Sequence, residues 1–148
     1  MFQRQEGEKM LAEAEELITV GKKLNIKAEL LADDEAESCI QRTLDLFMPF
    51  RTTGHLGIGH DSFTLPIDKW EFSYMEYLSQ ESGYVFFSQK KRLSGRTVVR
   101  IDNLQELGKI LEESFGMEYF LTNKNADFLI AVNWYVVEIL GIELSVFQ

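Results

Sequence analysis

Residues 117–140 read MEYFLTNKNADFLIAVNWYVVEIL, and this stretch decides the fold class. It contains three apolar runs rich in the β-branched and aromatic residues that strands favour. The runs are Met117 to Thr122, Asp127 to Val132 and Tyr135 to Leu140. Polar turns separate them, one at Asn123-Lys124-Asn125 and the other at Asn133-Trp134. Because such short links join only strands that run in opposite directions, the stretch predicts an antiparallel sheet.

Two further strands are predicted upstream, at Tyr84 to Ser88 and Thr97 to Ile101. The basic segment QKKRLSGR between them contains Ser94-Gly95, which is typical of a hairpin tip. A helix follows, since Asp102 or Asn103 can cap it and apolar residues recur at helical spacing. The residues expected to face the core are Leu104, Leu107, Ile110, Leu111 and Phe115, and Gly116 is expected to end the helix. The sheet therefore has about five strands.

The first fifty residues have the pattern of two amphipathic helices. One is predicted from about Gln5 to Lys22, and the other from Asp33 or Asp34 until Pro49. Residues Arg51 to Leu65 are predicted to form a loop, and Ile67 to Leu78 a further helix. The prediction is a single α+β domain over residues 1–148. It has a helical segment at 1–50, a strand-rich part at 83–141, and helices packed on one face of the sheet.

The net charge of −9 favours some partners and disfavours others. An acidic surface repels nucleic-acid phosphates and attracts a basic protein. The charged N-terminus does not resemble a secretory signal, and no apolar stretch is as long as a membrane span. The single cysteine, Cys39, rules out a disulfide within the chain. These features predict a soluble, cytoplasmic protein that binds neither nucleic acid nor membrane.

No set of residues typical of a catalytic centre is visible, so the pattern favours a non-enzymatic protein without a cofactor. The alternative is a small-molecule or metal site in the 51–65 loop, where His55, His60 and Asp61 occur among glycines. The glycines do not have the spacing of a phosphate-binding loop. A third hypothesis is a homodimer that uses the aromatic run from Trp70 to Tyr77.

The C-terminal part of the chain, together with Trp70 and GYVFFSQ, resembles a group of small uncharacterised bacterial proteins. The residues that carry the resemblance are Tyr119 to Thr122, Phe128 to Val132, Asn133-Trp134 and Val136 to Gly141. Members of that group commonly have Asn-His-His-Asp at the last turn, whereas this chain has Asn133-Trp134-Tyr135-Val136. Some similar proteins are immunity partners of bacterial toxins. The resemblance implies a binding role and gives no ground for chemistry by histidines at this turn.

The leading hypothesis is a non-enzymatic module that binds a basic protein partner. An immunity protein that neutralises a basic toxin would be such a module. Carboxylates on the two N-terminal helices would steer the partner. Trp134, at a predicted tight turn, would anchor the partner through an exposed ring, and the open alternative is a ring folded back onto the helices. The predicted partner-binding residues are Glu13, Glu16, Asp34, Glu35, Glu37 and Trp134.

Overall fold

The computed structural model describes residues 10–148. Within this range the α-helices are α1 (Ala12–Leu24), α2 (Asp33–Phe47), α3 (Ile67–Trp70) and α4 (Leu107–Glu112). The strands are β1 (Ala28–Leu30), β2 (Phe63–Pro66), β3 (Gly83–Phe86), β4 (Val99–Ile101), β5 (Tyr119–Asn123), β6 (Leu129–Val132) and β7 (Val136–Leu140). Short 3-10 helices occur at Tyr74–Tyr77, Arg92–Arg96, Leu104–Glu106 and Leu144–Phe147. None of the helices in residues 10–148 is long and apolar enough to cross a membrane.

All seven strands form one antiparallel sheet in the order β1-β4-β3-β5-β6-β7-β2. This confirms the α+β class, the antiparallel sheet and the N-terminal helix, but the count of about five strands is too low. The two strands missed, β1 and β2, lie at the two edges of the sheet. They are only three and four residues long. Pairing with β4 and β7 defines them more than their own sequence does.

The helices cover both faces of the sheet, so the prediction that they pack on one face is wrong. The side chains of Tyr119, Leu121 and Ile130 pack in one core with α1 and α4. The side chains of Phe120 and Leu129 alternate with them and pack in a second core with α2. Every residue of β5 and β6 is buried, and strands that are apolar on both faces need a cover on each.

The predicted helices agree with the structure unevenly. α2 is confirmed, and α1 ends at Leu24, two residues beyond the prediction, while positions 5–9 lie outside the described residues. The helix predicted from Ile67 to Leu78 is two short pieces, α3 and the 3-10 helix at Tyr74–Tyr77. Between them the chain turns so that Trp70 packs against Phe147, and both rings are buried.

The aromatic run proposed for a homodimer is therefore mostly core. Trp70 and Tyr74 are buried, and the Tyr74 hydroxyl lies 2.8 Å from the Tyr119 hydroxyl in the interior. Tyr77, about half exposed, is the exposed aromatic ring of the run. Burial of Trp70 and Tyr74, with Phe72 partly buried, removes the continuous patch on which the homodimer hypothesis rests.

Gly108 provides a test of how closely α4 packs. A Cβ at this position would lie 2.1 Å from the carbonyl oxygen of Phe72 and 3.0 Å from Met75 Sδ. Helix propensity alone would make Gly108→Ala stabilising by about 1 kcal/mol. We expect the opposite sign, a loss of about 2–3 kcal/mol in the free energy of unfolding, because the backbone of Phe72 must move.

The measurement is urea-induced unfolding followed by circular dichroism. Gly95→Ala is the control, since the nearest atom to its new Cβ, Gln89 Oε1, would be 3.6 Å away. The control should change stability by less than about 0.5 kcal/mol. A stabilised Gly108→Ala variant would show that α4 packs differently.

Candidate partner-binding surface

The predicted partner-binding residues fall on two separate surfaces. Asp34, Glu35 and Glu37 lie on α2, which covers one face of the sheet. Glu13 and Glu16 lie on α1, which covers the other face, and Trp134 lies in the turn between β6 and β7. The structure brings Glu16 and Trp134 to the same end of the sheet. Glu16 Oε2 accepts a hydrogen bond from the N–H of Phe115, and the Trp134 ring lies against the next residue, Gly116.

The α2 acidic surface consists of Asp34, Glu35 and Glu37, all exposed in the first two turns of the helix. Negative charge is favourable there because the N-terminal end of a helix dipole is positive. Asp34 Oδ1 accepts a hydrogen bond from the backbone N–H of Glu35 at 3.0 Å. In the described part of the chain, none of the three carboxylates forms an ion pair within 4.0 Å. Their charge is therefore open to solvent and to a partner.

A groove of about 710 Å³ runs along one side of α2. Asp34 and Glu37 line one wall, and Arg92 and Arg96 from the 3-10 helix at Arg92–Arg96 line the other. Arg96 Nε lies 3.7 Å from Asp33 Oδ2 across this boundary. The acidic surface thus ends at a basic wall, so a basic partner would approach it from the opposite side.

The aromatic edge, defined as Phe115, Trp134 and Tyr135, lies at one end of the sheet. Phe115 precedes β5 and the other two follow β6, and the pairing of Tyr119 with Val132 places these ends side by side. The exposed fractions are 48% for Phe115, 50% for Trp134 and 66% for Tyr135. Three large exposed aromatic side chains at one end are unusual for a surface without a partner.

Phe115 was predicted to face the core, and the structure corrects this. The helix α4 ends at Glu112, so Phe115 no longer follows the helical repeat that points its predecessors inward. Its backbone N–H instead donates a hydrogen bond to Glu16 Oε2 at 3.1 Å. This contact joins α1 to the aromatic edge. Glu13 lies three residues earlier on α1, on the same helix face, and is partly exposed.

The turn that carries Trp134 and Tyr135 is held in place by Asn133. Its Oδ1 accepts hydrogen bonds from the backbone N–H groups of Tyr135, at 2.7 Å, and Val136, at 3.0 Å. Its Nδ2 donates to the carbonyl oxygen of Leu56 at 2.9 Å. The Trp134 ring lies against Gly116, where a Cβ would come within 3.0 Å of it. The rings are consequently exposed but fixed.

Residues 63–65, predicted as the end of the loop, belong to strand β2. The remaining 51–62 loop is packed onto the sheet by two carboxylates that sequence reasoning missed. Glu118 Oε1 accepts a hydrogen bond from the N–H of Leu56 at 2.9 Å. Glu138 Oε2 accepts from the N–H groups of Ile58, at 2.7 Å, and Gly59, at 2.8 Å. Leu56 and Ile58 are buried in the same core as α2. The sequence does contain a clue to both carboxylates. Each stands alone within an apolar stretch predicted as a strand, where an ionised group needs hydrogen-bond partners.

The proposed histidine site is not assembled. His55 Nδ1 lies 2.7 Å from Glu118 Oε2, and its ring meets Tyr135 edge-on with centroids 5.2 Å apart. His60 is highly exposed, with Nε2 3.8 Å from Asp61 Oδ2. Residues 10–148 contain no group of three His, Cys, Asp or Glu side chains placed to hold a metal ion. His55 thus belongs to the support of the aromatic edge.

Cys39 offers no reactive thiol. It is buried between α2 and the sheet, and this burial raises the pKa of the Cys39 thiol. A thiol with a raised pKa carries little of the thiolate form that reacts.

No family model, no curated protein and no solved structure matches this chain.

The role of Glu138 can be tested by substitution. Glu138→Ala leaves the N–H groups of Ile58 and Gly59 without their acceptor, so the free energy of unfolding should fall by about 2–4 kcal/mol. Glu138→Gln keeps a carbonyl acceptor but loses the charge, and its loss should be smaller. Both values can be measured by urea unfolding, and release of the loop by the rate of trypsin cleavage after Arg51.

Glu143→Ala is the matched control, because it makes the same substitution at an exposed position. It should leave both measurements unchanged. If Glu138→Ala behaved like this control, the carboxylate would not hold the loop.

Proposed function

We propose that the chain is a non-enzymatic module that binds a basic protein partner through the aromatic edge. The observation that carries the proposal is that the rings of Trp134 and Tyr135 are exposed and yet held in place. Gly116 lies against the Trp134 ring and His55 against the Tyr135 ring, and the exposed ring of Phe115 lies at the same end of the sheet. Aromatic side chains dominate the energetics of many protein interfaces. A side chain that is already ordered loses little conformational entropy on binding.

The charge of the chain supports a basic partner. The net charge is −9, and Glu16 lies directly beside the aromatic edge. The α2 acidic surface adds three carboxylates that are open to solvent. Charges of this kind raise the rate of association with an oppositely charged protein more than they raise the final affinity. We assign anchoring to the aromatic edge and steering to the carboxylates.

An immunity protein that neutralises a basic toxin fits this chemistry, and we include it in the proposal. Such a protein acts in the cytoplasm by covering a surface of the toxin, and needs no catalytic centre or cofactor. A small-molecule or metal site at His55, His60 and Asp61 is the alternative, and it would require His55 to leave Glu118.

The anchoring role predicts a large effect of truncating the rings. Trp134→Ala/Tyr135→Ala should weaken binding of the basic partner at least about tenfold, since loss of an aromatic anchor typically costs about 2 kcal/mol or more. The tagged protein captures the partner from the source cell's lysate, and the dissociation constant of the purified pair is then measured by surface plasmon resonance.

Phe50→Ala is the control for this experiment, because Phe50 is an aromatic residue with 77% exposure that lies outside the aromatic edge. It should bind the partner as the unmodified protein does. Undiminished binding by the double variant would remove the aromatic edge as the contact surface.

The steering role predicts a kinetic effect of reversing the charge of α2. Asp34→Lys/Glu35→Lys/Glu37→Lys should slow association with the basic partner about tenfold at low salt, and leave dissociation nearly unchanged. The measurement is stopped-flow association at several salt concentrations.

A second triple variant, Asp68→Lys/Glu76→Lys/Glu143→Lys, changes the net charge by the same amount at exposed positions. These residues lie in or next to α3 and the 3-10 helices at Tyr74–Tyr77 and Leu144–Phe147, which pack with the core on the other face of the sheet. It should slow association less than the α2 variant. Equal slowing by both would mean that only the total charge matters.

A further inference from the structure

The aromatic edge combines two kinds of group that rarely adjoin on a surface without function. Its rings are open to solvent, and a carboxylate from α1 touches its backbone, since Glu16 Oε2 accepts the hydrogen bond from the Phe115 N–H. Glu112 and Glu113, both exposed, precede Phe115 by three and two residues. The nearby Lys23 is paired with Glu113, with Nζ 3.5 Å from Oε1, so its charge is partly offset.

An exposed ring beside a carboxylate is suited to a cation. The face of an aromatic ring attracts a positive charge, and the carboxylate attracts it further. Arginine meets both demands better than lysine, because its planar guanidinium stacks on a ring while its N–H groups bind a carboxylate. An ammonium group is more strongly hydrated and loses more when it leaves water.

The position of Trp134 leaves room for such stacking. The ring lies against Gly116, and half of the side chain's surface remains exposed. Tyr135 stands beside it, with its own ring held edge-on by His55, which Glu118 fixes in turn. The exposed part of the Trp134 side chain is the surface that a guanidinium would contact.

The geometry points to arginine as the residue of the basic partner that the aromatic edge recognises, with Trp134 as the stacking ring and Glu16 as the paired carboxylate. This inference rests on the proposed function and adds the chemistry of the partner's contact residue. It predicts selectivity for arginine over lysine at equal charge.

The test compares two blocked, fluorescein-labelled peptides of equal charge, (Gly-Arg)₃ and (Gly-Lys)₃, by fluorescence anisotropy with the full chain. We expect the arginine peptide to bind about fivefold more tightly than the lysine peptide, as cation–π stacking allows. Trp134→Leu keeps an apolar side chain but removes the ring, and should bring the ratio close to one. Trp134→Phe retains a ring and should preserve part of the selectivity.

Three further variants separate this inference from the proposed function. Phe50→Leu should keep the full selectivity, because Phe50 lies outside the aromatic edge. The α2 triple variant should weaken both peptides equally and leave their ratio unchanged. Glu16→Gln should reduce binding of the arginine peptide more than that of the lysine peptide.

Equal affinities of the two peptides for the unmodified protein, or an unchanged ratio in Trp134→Leu, would overturn the inference. Absence of binding by either peptide at millimolar concentration would also overturn it. In each of these cases a captured partner that depends on Trp134 and Tyr135 would still leave the proposed function standing.

Discussion

Strands β5 and β6 are apolar on both faces, and the rest of the structure depends on covering both. Their side chains alternate between two cores, so neither face can be left to water. The amphipathic helix α1 can bury only one stripe, and with α4 it covers one face. The opposite face requires a separate cover, which α2 and the 51–62 loop provide together. The arrangement of helices on both sides of an antiparallel sheet follows from this constraint.

A loop used as a cover brings its backbone polar groups close to an apolar surface. These groups need partners, since a buried N–H without an acceptor costs about 1–3 kcal/mol. Glu118 and Glu138 supply the acceptors from the sheet itself. Glu118 then also holds His55, and His55 supports the ring of Tyr135. The fixed position of the aromatic edge is thus a consequence of how the loop is held.

Much of the sheet could be predicted from the sequence, because β3 to β7 are long enough or apolar enough to have a pattern of their own. The edge strands β1 and β2 could not, since their partners define them. The amphipathic pattern showed that α1 and α2 each bury one apolar stripe. It does not say against which face of the sheet each stripe packs. For the same reason, Trp134 could be placed at a turn, but whether its ring is exposed could not be decided. Its exposure, and the presence of Glu16 at the same end of the sheet, depend on contacts between residues distant in the sequence.

The separation of the α2 acidic surface from the aromatic edge agrees with the different ranges of the two interactions. Stacking and hydrogen bonding act at contact, and require the fixed rings and the carboxylate of Glu16. Steering acts before contact, but at physiological salt it is screened over about 8 Å. Carboxylates on α2 are therefore expected to affect the approach of a large basic protein, which spans both surfaces, much more than the choice between two cations at the aromatic edge. For the same reason the steering residues need no fixed geometry, whereas the rings of Trp134 and Tyr135 are each held by a specific contact.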